Sequence, residues 1–490
     1  MKISLTQKLD ENDWNPSTAR HLLNRAGFGG PRSLIEKLES MGFKRAVLYL
    51  THPERVTDNI QEPDWLVESE SFREMRSQFK DLDKDQCKKR RRMIRYEQRQ
   101  TVERLKSWWL KQSLVTTRPL QEKMAHFWHG HFATSARKVK SSRMNYDLNR
   151  VFRKHGLGNF KTLVTQVSQS PAMLQYLDNR KNKKGHPNEN FSRELMELFM
   201  LGIGNYTEQD VQEAARAFTG WTIRDGTFQE NSRQHDTGSK TFMGRTGNFD
   251  GYEIIDILCK QEAMIRFIAH KLWDYFVYDN PNEETINALV FHFKRSQFKI
   301  SSLLQTIFLS SEFYSDRAMH RNIKSPVQLM INLVDQLQVN TEDTRDKLIS
   351  MAMRGMGQDL FYPPNVKGWP GNRAWINSNT LLTRYNLPSY FLYGETGKKR
   401  KDNPKRRNNA PFRDEPFFEK YAGRPAGEVV DALVDHFIGR PLDHGQRRLL
   451  LEAIHPQASE SLVLPEGSKS AKRLTGVVHL ILSTAEYQLC

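Results

Sequence analysis

The chain has 490 residues, of which 38% are hydrophobic and 27% charged, and its 27 Phe, 15 Tyr and 9 Trp exclude wholesale disorder. Lys and Arg outnumber Asp and Glu by 74 to 57, a formal net charge of +17, which raises the question of an anionic partner. Three segments carry nearly all of it: residues 88–99 hold +6, 180–184 hold +4 and 398–407 hold +6. The rest of the chain is close to neutral, unlike a protein with a broad nucleic-acid face, so nucleic acid ranks below an anionic polymer as a partner.

Cys87, Cys259 and Cys490 are far apart and odd in number, which argues against a disulfide framework or a cysteine zinc site. The first residues lack an apolar core and no apolar run reaches membrane-spanning length. The expectation is a reduced cytoplasmic protein without a transmembrane segment, export as part of a complex remaining open.

In chain order, the first apolar stripe, Leu22, Leu23 and Ala26, is cut by Gly27, Gly29, Gly30 and Pro31, which predicts a helix, a turn and a second helix. With no preceding strand and no Gly-Lys-Ser/Thr ending, the glycines do not read as a phosphate loop. Residues 68–111 are long and charged, and predict two helices joined near 81–86. Pro119 opens a helix that the pattern stops at Gly130. Asp225-Gly226 between short alternating runs predicts a hairpin, followed by a long loop with Gly238, Gly244, Gly247 and Gly251. Helices then resume at 252–259, 262–278, 283–294, 300–309, 325–337 and 343–353, and after the basic stretch at 428–438, 444–454 and 471–487. Residues 164–171, 304–313 and 478–487 form a weak repeat, an apolar helix running into Ser and then a new helix start. The expected fold is mainly α, a large helical body of packed helical hairpins with a short β-hairpin and a long Gly-rich loop near residues 221–251. The expected organisation is a main helical domain over 1–393, a basic flexible linker or insertion over 394–411, and a C-terminal helical segment over 412–490 packing on the main body.

Four constellations carry chemistry-bearing residues. His126, His129 and His131 crowd into six positions, and neutral imidazoles serve as metal ligands or bases. With the helix stopped at Gly130, His131 is expected to fold back toward the other two. Glu189, Arg193, Glu194 and Glu197 share a segment rich in Leu, Met and Phe, where a carboxylate needs a compensating group; a surface Glu189–Arg193 pair is the simpler reading. His235-Asp236 sits in the odd loop. Last, residues 359–377, with Pro363-Pro364-Asn365-Val366-Lys367-Gly368-Trp369-Pro370-Gly371 and Trp375, read as either a cleft wall or a clasp.

These motifs, with Glu189-Asn190-Phe191, Leu201-Gly202, residues 215–221, Trp375-Ile376-Asn377 and the early His21-Leu22-Leu23-Asn24-Arg25-Ala26-Gly27-Phe28-Gly29, resemble the bacterial family catalogued as domain of unknown function 1800. The resemblance covers nearly the whole chain. It implies a mostly helical fold of no established activity, and a sulfatase-like or phosphatase-like partner protein encoded nearby. Two readings compete. One is a metal-dependent, hydrolase-like enzyme with His129, His131, Glu194 and Glu197 around a divalent Zn, Mn or Fe and with His235, Asp236 and Arg193 as catalytic groups. The other is a non-catalytic helical scaffold that binds a partner protein or an anionic polymer.

Overall fold

Apolar side chains recurring every three to four residues decide most of the chain. In the helix Glu262–Phe276 the buried positions are Met264, Ile265, Ile268, Ala269, Leu272, Trp273 and Phe276, one stripe of an α-helix. The computed structural model describes residues 7–66, 79–80, 82–340, 346–394, 410–455 and 459–490. Among the described residues the chain is mainly α, 62% helical, with two small two-stranded sheets. The basic stretch at 398–407 and the first quarter of the charged segment, 68–78, lie outside the described residues.

Two compact units form, each from three separate stretches of chain. The first takes Val47–Phe313, Asp359–Trp369 and a short N-terminal piece ending at Lys8; the second takes Leu9–Ala46, Tyr314–Gln358 and Pro370–Cys490.

The first unit is built from helical hairpins. Ser141 caps Ser142–His155 and Asn159 caps Phe160–Gln169; Asn282 caps Glu283–Arg295, and Ile300–Leu309 follows. The second helices of the two hairpins start side by side: Phe160 N–H donates to Phe298 C=O at 3.0 Å, and Ile300 N–H to Gly158 C=O at 2.9 Å. Both then stop at an extended Ser, Ser170 or Ser310, and restart as a short helix at Pro171–Tyr176 or Ser311–Tyr314. The weak sequence repeat is therefore a repeat of helix stops. Its third copy, Ser468–Leu482 followed by Glu486–Gln488, closes the second unit.

Lys84–Val115, a helix of 32 residues begun by a reciprocal capping box between Asp83 and Gln86, starts where the joint near 81–86 is expected; the helix expected before it falls on 68–78, outside the described residues. One helix differs from expectation. Pro119–His131 does not stop at Gly130 but runs on to His131. Gly368 packs on this end of the helix: a Cβ on it would lie 1.9 Å from the Gly130 carbonyl oxygen, so only glycine admits this approach.

The segment near 221–251 holds a hairpin, Trp221–Arg224 with Thr227–Glu230, turned by Asp225 and Gly226 at positive φ. The Gly-rich stretch after it contains a second, Lys240–Phe242 with Arg245–Gly247, turned by Met243 and Gly244. In the second unit, Gly29 at φ +87° brings the turn after Pro16–Ala26 against Asn332, whose amide donates to Phe28 C=O. The glycines there close a helix link, as expected.

A buried ion pair ties three helices of the first unit. Glu122, fully buried on Pro119–His131, accepts both Nε and Nη2 of Arg153 from Ser142–His155, the latter at 3.1 Å. It also accepts the indole N–H of Trp109, on Lys84–Val115, at 3.1 Å. Removing one member of such a pair leaves an uncompensated charge in the core. Glu122→Ala is therefore expected to cost about 3–5 kcal/mol, read as a lowered urea midpoint, and Glu122→Gln less, because the amide keeps acceptor capacity.

Candidate functional site

The histidines sit on the helix Pro119–His131 but not on one face of it. Two residues apart on a helix point about 200° away from each other, so continuing the helix through Gly130 separates His129 from His131. His126 stacks on Trp109 at 4.1 Å between ring centres, and its Nε2 lies 3.0 Å from Ser113 Oγ. His129, 2% exposed, accepts the Phe361 N–H at Nε2 (3.2 Å) and is walled by Trp109, Phe361 and Trp369. His131 donates from Nε2 to Phe199 C=O at 2.9 Å among Phe127, Trp128 and Phe132. Burial holds His129 and His131 down at about pKa 3, and His126 well below its ordinary value. All three are neutral packing elements at pH 7.

Glu194 ends the short helix Asn190–Glu194, and Glu197 sits in the π-helical turn Leu195–Met200 that continues it. The wider turn keeps Leu195, Met196, Phe199 and Met200 in the core while both carboxylates stay half-buried. Glu197 accepts the Tyr206 hydroxyl at 3.0 Å. Burial, and then the neighbouring Glu197 charge, raises the Glu194 carboxyl, while Lys367 and Arg193 pull it back. Tyr176 faces Glu194 as well as Arg137. One surface of the first unit thus gathers Glu194, Glu197, Tyr176, Tyr206, Lys367 and Arg137.

Lys367 reaches this surface because the proline-rich loop is clasped to the histidine helix. Ala136 N–H donates to Phe361 C=O at 2.8 Å, Phe361 N–H to His129, and Trp369 stacks over Gly130. Of the two readings of that loop, the clasp describes Asp359–Trp369.

Arg193 is occupied: it pairs with Glu189 at 3.1 Å and with both oxygens of Glu208 at 2.6 and 2.7 Å. Asp236 is held at about pKa 2, first by its hydrogen bond from Arg216. His235 donates from Nδ1 to Thr219 C=O at 2.9 Å, which leaves Nε2 as the ring's acceptor. The expected donors do not converge: among the described residues no three His, Cys, Asp or Glu side chains form a group able to hold a metal ion.

Lys240 is the residue that pattern reading missed. Only 1% exposed, it donates to Asp236 C=O at 2.6 Å, Gly238 C=O at 3.0 Å and Asn248 Oδ1 at 3.2 Å. It therefore shapes the loop that presents His235. The signal was available: Lys240 and Phe242 alternate with exposed Thr241, so period two places the lysine inward.

The sequence from residue 21 to residue 489 matches the family model described as protein of unknown function (DUF1800). The chain belongs to that family. The match takes in every residue of the surface just described, and residues of both units. No curated protein and no solved structure matches the chain. Nor, among the described residues, is any helix long and apolar enough to cross a membrane.

The buried histidines predict a pH dependence. Their folded pKa, about 3, lies below the unfolded value, so the unfolded chain binds more protons between roughly pH 6.5 and 3. Their contribution is complete above that window and falls as pH drops through it. The urea stability of the protein should decline from pH 7 to pH 5. His131→Gln, which keeps a donor for Phe199 C=O, should flatten that slope by up to about 1.4 kcal/mol per pH unit. An unchanged slope would show that His131 titrates normally.

Proposed function

We propose that this protein is a non-catalytic helical scaffold that binds an anionic polymer through the projecting half of the helix Lys84–Val115. One observation carries the reading. Lys88, Arg92, Arg95 and Arg99 are all exposed and follow one another at intervals of four, three and four, which aligns them on one helical face. Lys89 and Arg91 flank the row. None of these six side chains pairs with a carboxylate among the described residues; Arg91 lies over the Phe79 ring at 5.8 Å, and Arg95 Nε donates to Arg91 C=O.

From Val102 onward the same helix is anchored by Val102, Leu105, Lys106, Trp109 and Leu110 in the core. The preceding 84–101 stretch spans about 27 Å at 1.5 Å per residue. A fixed row of cations of this length suits a repeating anion, whose condensed counterions are released on binding. The histidines support a scaffold in a second way, since Nε2 of each ring is engaged, by Ser113 Oγ, Phe361 N–H and Phe199 C=O.

The test is fluorescence anisotropy with a labelled polyanion, dextran sulfate, across a salt series. Log affinity should fall linearly with log salt, and the double reversal Arg92→Glu with Arg95→Glu should weaken binding at least about tenfold. Salt-independent binding, or a reversed helix that binds like the wild type, would sink the reading.

The hydrolase-like reading keeps one support, the raised carboxyl of Glu194 beside Glu197 and Lys367. It requires a divalent ion in the purified protein that both His129→Ala and Glu194→Ala lose. Elemental analysis of the three proteins decides between the two readings, because a scaffold binds no stoichiometric metal.

A further inference from the structure

A cavity of about 370 Å³ lies in the second unit, framed by three neighbouring pieces of chain. Ile454 and His455 contribute the end of the helix His444–Ile454, Ser470 and Arg473 the first turns of Ser468–Leu482, and residues 462–465 the extended segment between them. That segment is fixed by its own backbone. Ala426 N–H donates to Leu462 C=O at 2.8 Å, Leu464 N–H to Arg424 C=O at 3.0 Å and Gly423 N–H to Leu464 C=O at 2.9 Å. The wall is therefore formed before any guest arrives. It keeps Leu462 and Val463 37% and 57% exposed, while Ile454 and Leu464 are buried behind them.

The opposite side of the cavity is cationic. Arg473 lines it, and Lys469 and Lys472 stand on the same two turns of a helix that contains no Asp or Glu. None of the three pairs with a carboxylate among the described residues. The acids close by in sequence are engaged elsewhere or turned out: Glu460 pairs with Arg447 at 2.6 Å, Glu452 with Arg448 at 3.4 Å, and Glu466 is exposed and does not line the cavity. Cations at the start of a helix add to the positive end of its dipole. The cavity thus joins an apolar wall to a positive rim.

We propose that this cavity binds a small carboxylic acid, its apolar body against Leu462 and Val463 and its carboxylate on Arg473 and Ser470. The volume is that of small-molecule sites, which combine apolar walls with a few polar groups that orient the guest. Covering Leu462 and Val463 removes apolar surface from water, and the planar guanidinium of Arg473 matches a carboxylate with two parallel hydrogen bonds. One guanidinium and one hydroxyl answer a single negative charge. A polyanion would leave the apolar wall wet, and a neutral guest would leave Arg473 without a counter-charge. This selectivity differs from that of the basic row on Lys84–Val115, which favours repeated charge.

The experiment is isothermal titration of the full chain with octanoate, 1-octanol and acetate. Octanoate is expected to bind saturably, 1-octanol at least about tenfold more weakly, and acetate without saturation. Arg473→Gln should weaken octanoate at least about tenfold and leave 1-octanol unchanged, and Val463→Asp should abolish both. Both side chains are exposed, so the variants should unfold thermally as the wild type does. Arg92→Glu with Arg95→Glu should bind octanoate normally, which separates this site from the polymer reading. No saturable octanoate binding, wild-type affinity in Arg473→Gln, or 1-octanol bound as tightly as octanoate overturns the proposal. So does a dimer in size-exclusion chromatography that Val463→Asp disperses, since the wall would then belong to a second copy of the chain.

Discussion

The first unit depends on the desolvation of one carboxylate. Glu122 has no exposed surface, and its charge is tolerable only because Arg153 and Trp109 arrive from two other helices to donate to it. That demand fixes how Lys84–Val115, Pro119–His131 and Ser142–His155 meet. Once Trp109 is placed by Glu122, its ring covers His126 and edges His129 and Phe361. The same residue thereby fixes the wall to which the proline-rich loop is clasped. The histidine cluster follows from this packing, which engages Nε2 of each ring.

A helix that buries no residue in its first eighteen needs a reason to persist in water. Isolated helices of that length are marginal, and here the anchored Val102–Val115 portion supplies the nucleus. From there the projecting part adds one hydrogen bond per residue through good helix formers such as Lys, Arg and Gln, and the Asp83–Gln86 capping box closes its free end. The basic row is rigid because its far end is packed.

Much of the fold is legible in the sequence because helical stripes are local. Ile300–Leu309 and His444–Ile454 match the periodic pattern residue for residue, and Asp225-Gly226 marks its hairpin by turn chemistry alone. Failures come where a distant residue overrules a local preference. Gly130 reads as a helix stop, yet Gly368, more than two hundred residues later, packs on its carbonyl and the helix continues. The consequence for the candidate site is direct, since His131 does not fold back toward His129. The Glu194 surface is partly legible, for Glu194 and Glu197 stand out in an apolar segment, but Tyr176, Tyr206 and Arg137 join them only through tertiary structure.

The interleaving of the two units has a consequence for how the chain is made. The helix Pro16–Ala26 buries Leu22, Leu23 and Arg25 within the second unit, and Arg25 finds its acceptor 293 residues downstream. At roughly 5–20 residues per second a ribosome needs about 15–60 s to deliver that partner. During this interval the first unit's hairpins can assemble, while the helix Pro16–Ala26 waits for the partners that cover its apolar face. The protein's synthesis therefore places a burden on whatever shields nascent chains, and it falls on this helix.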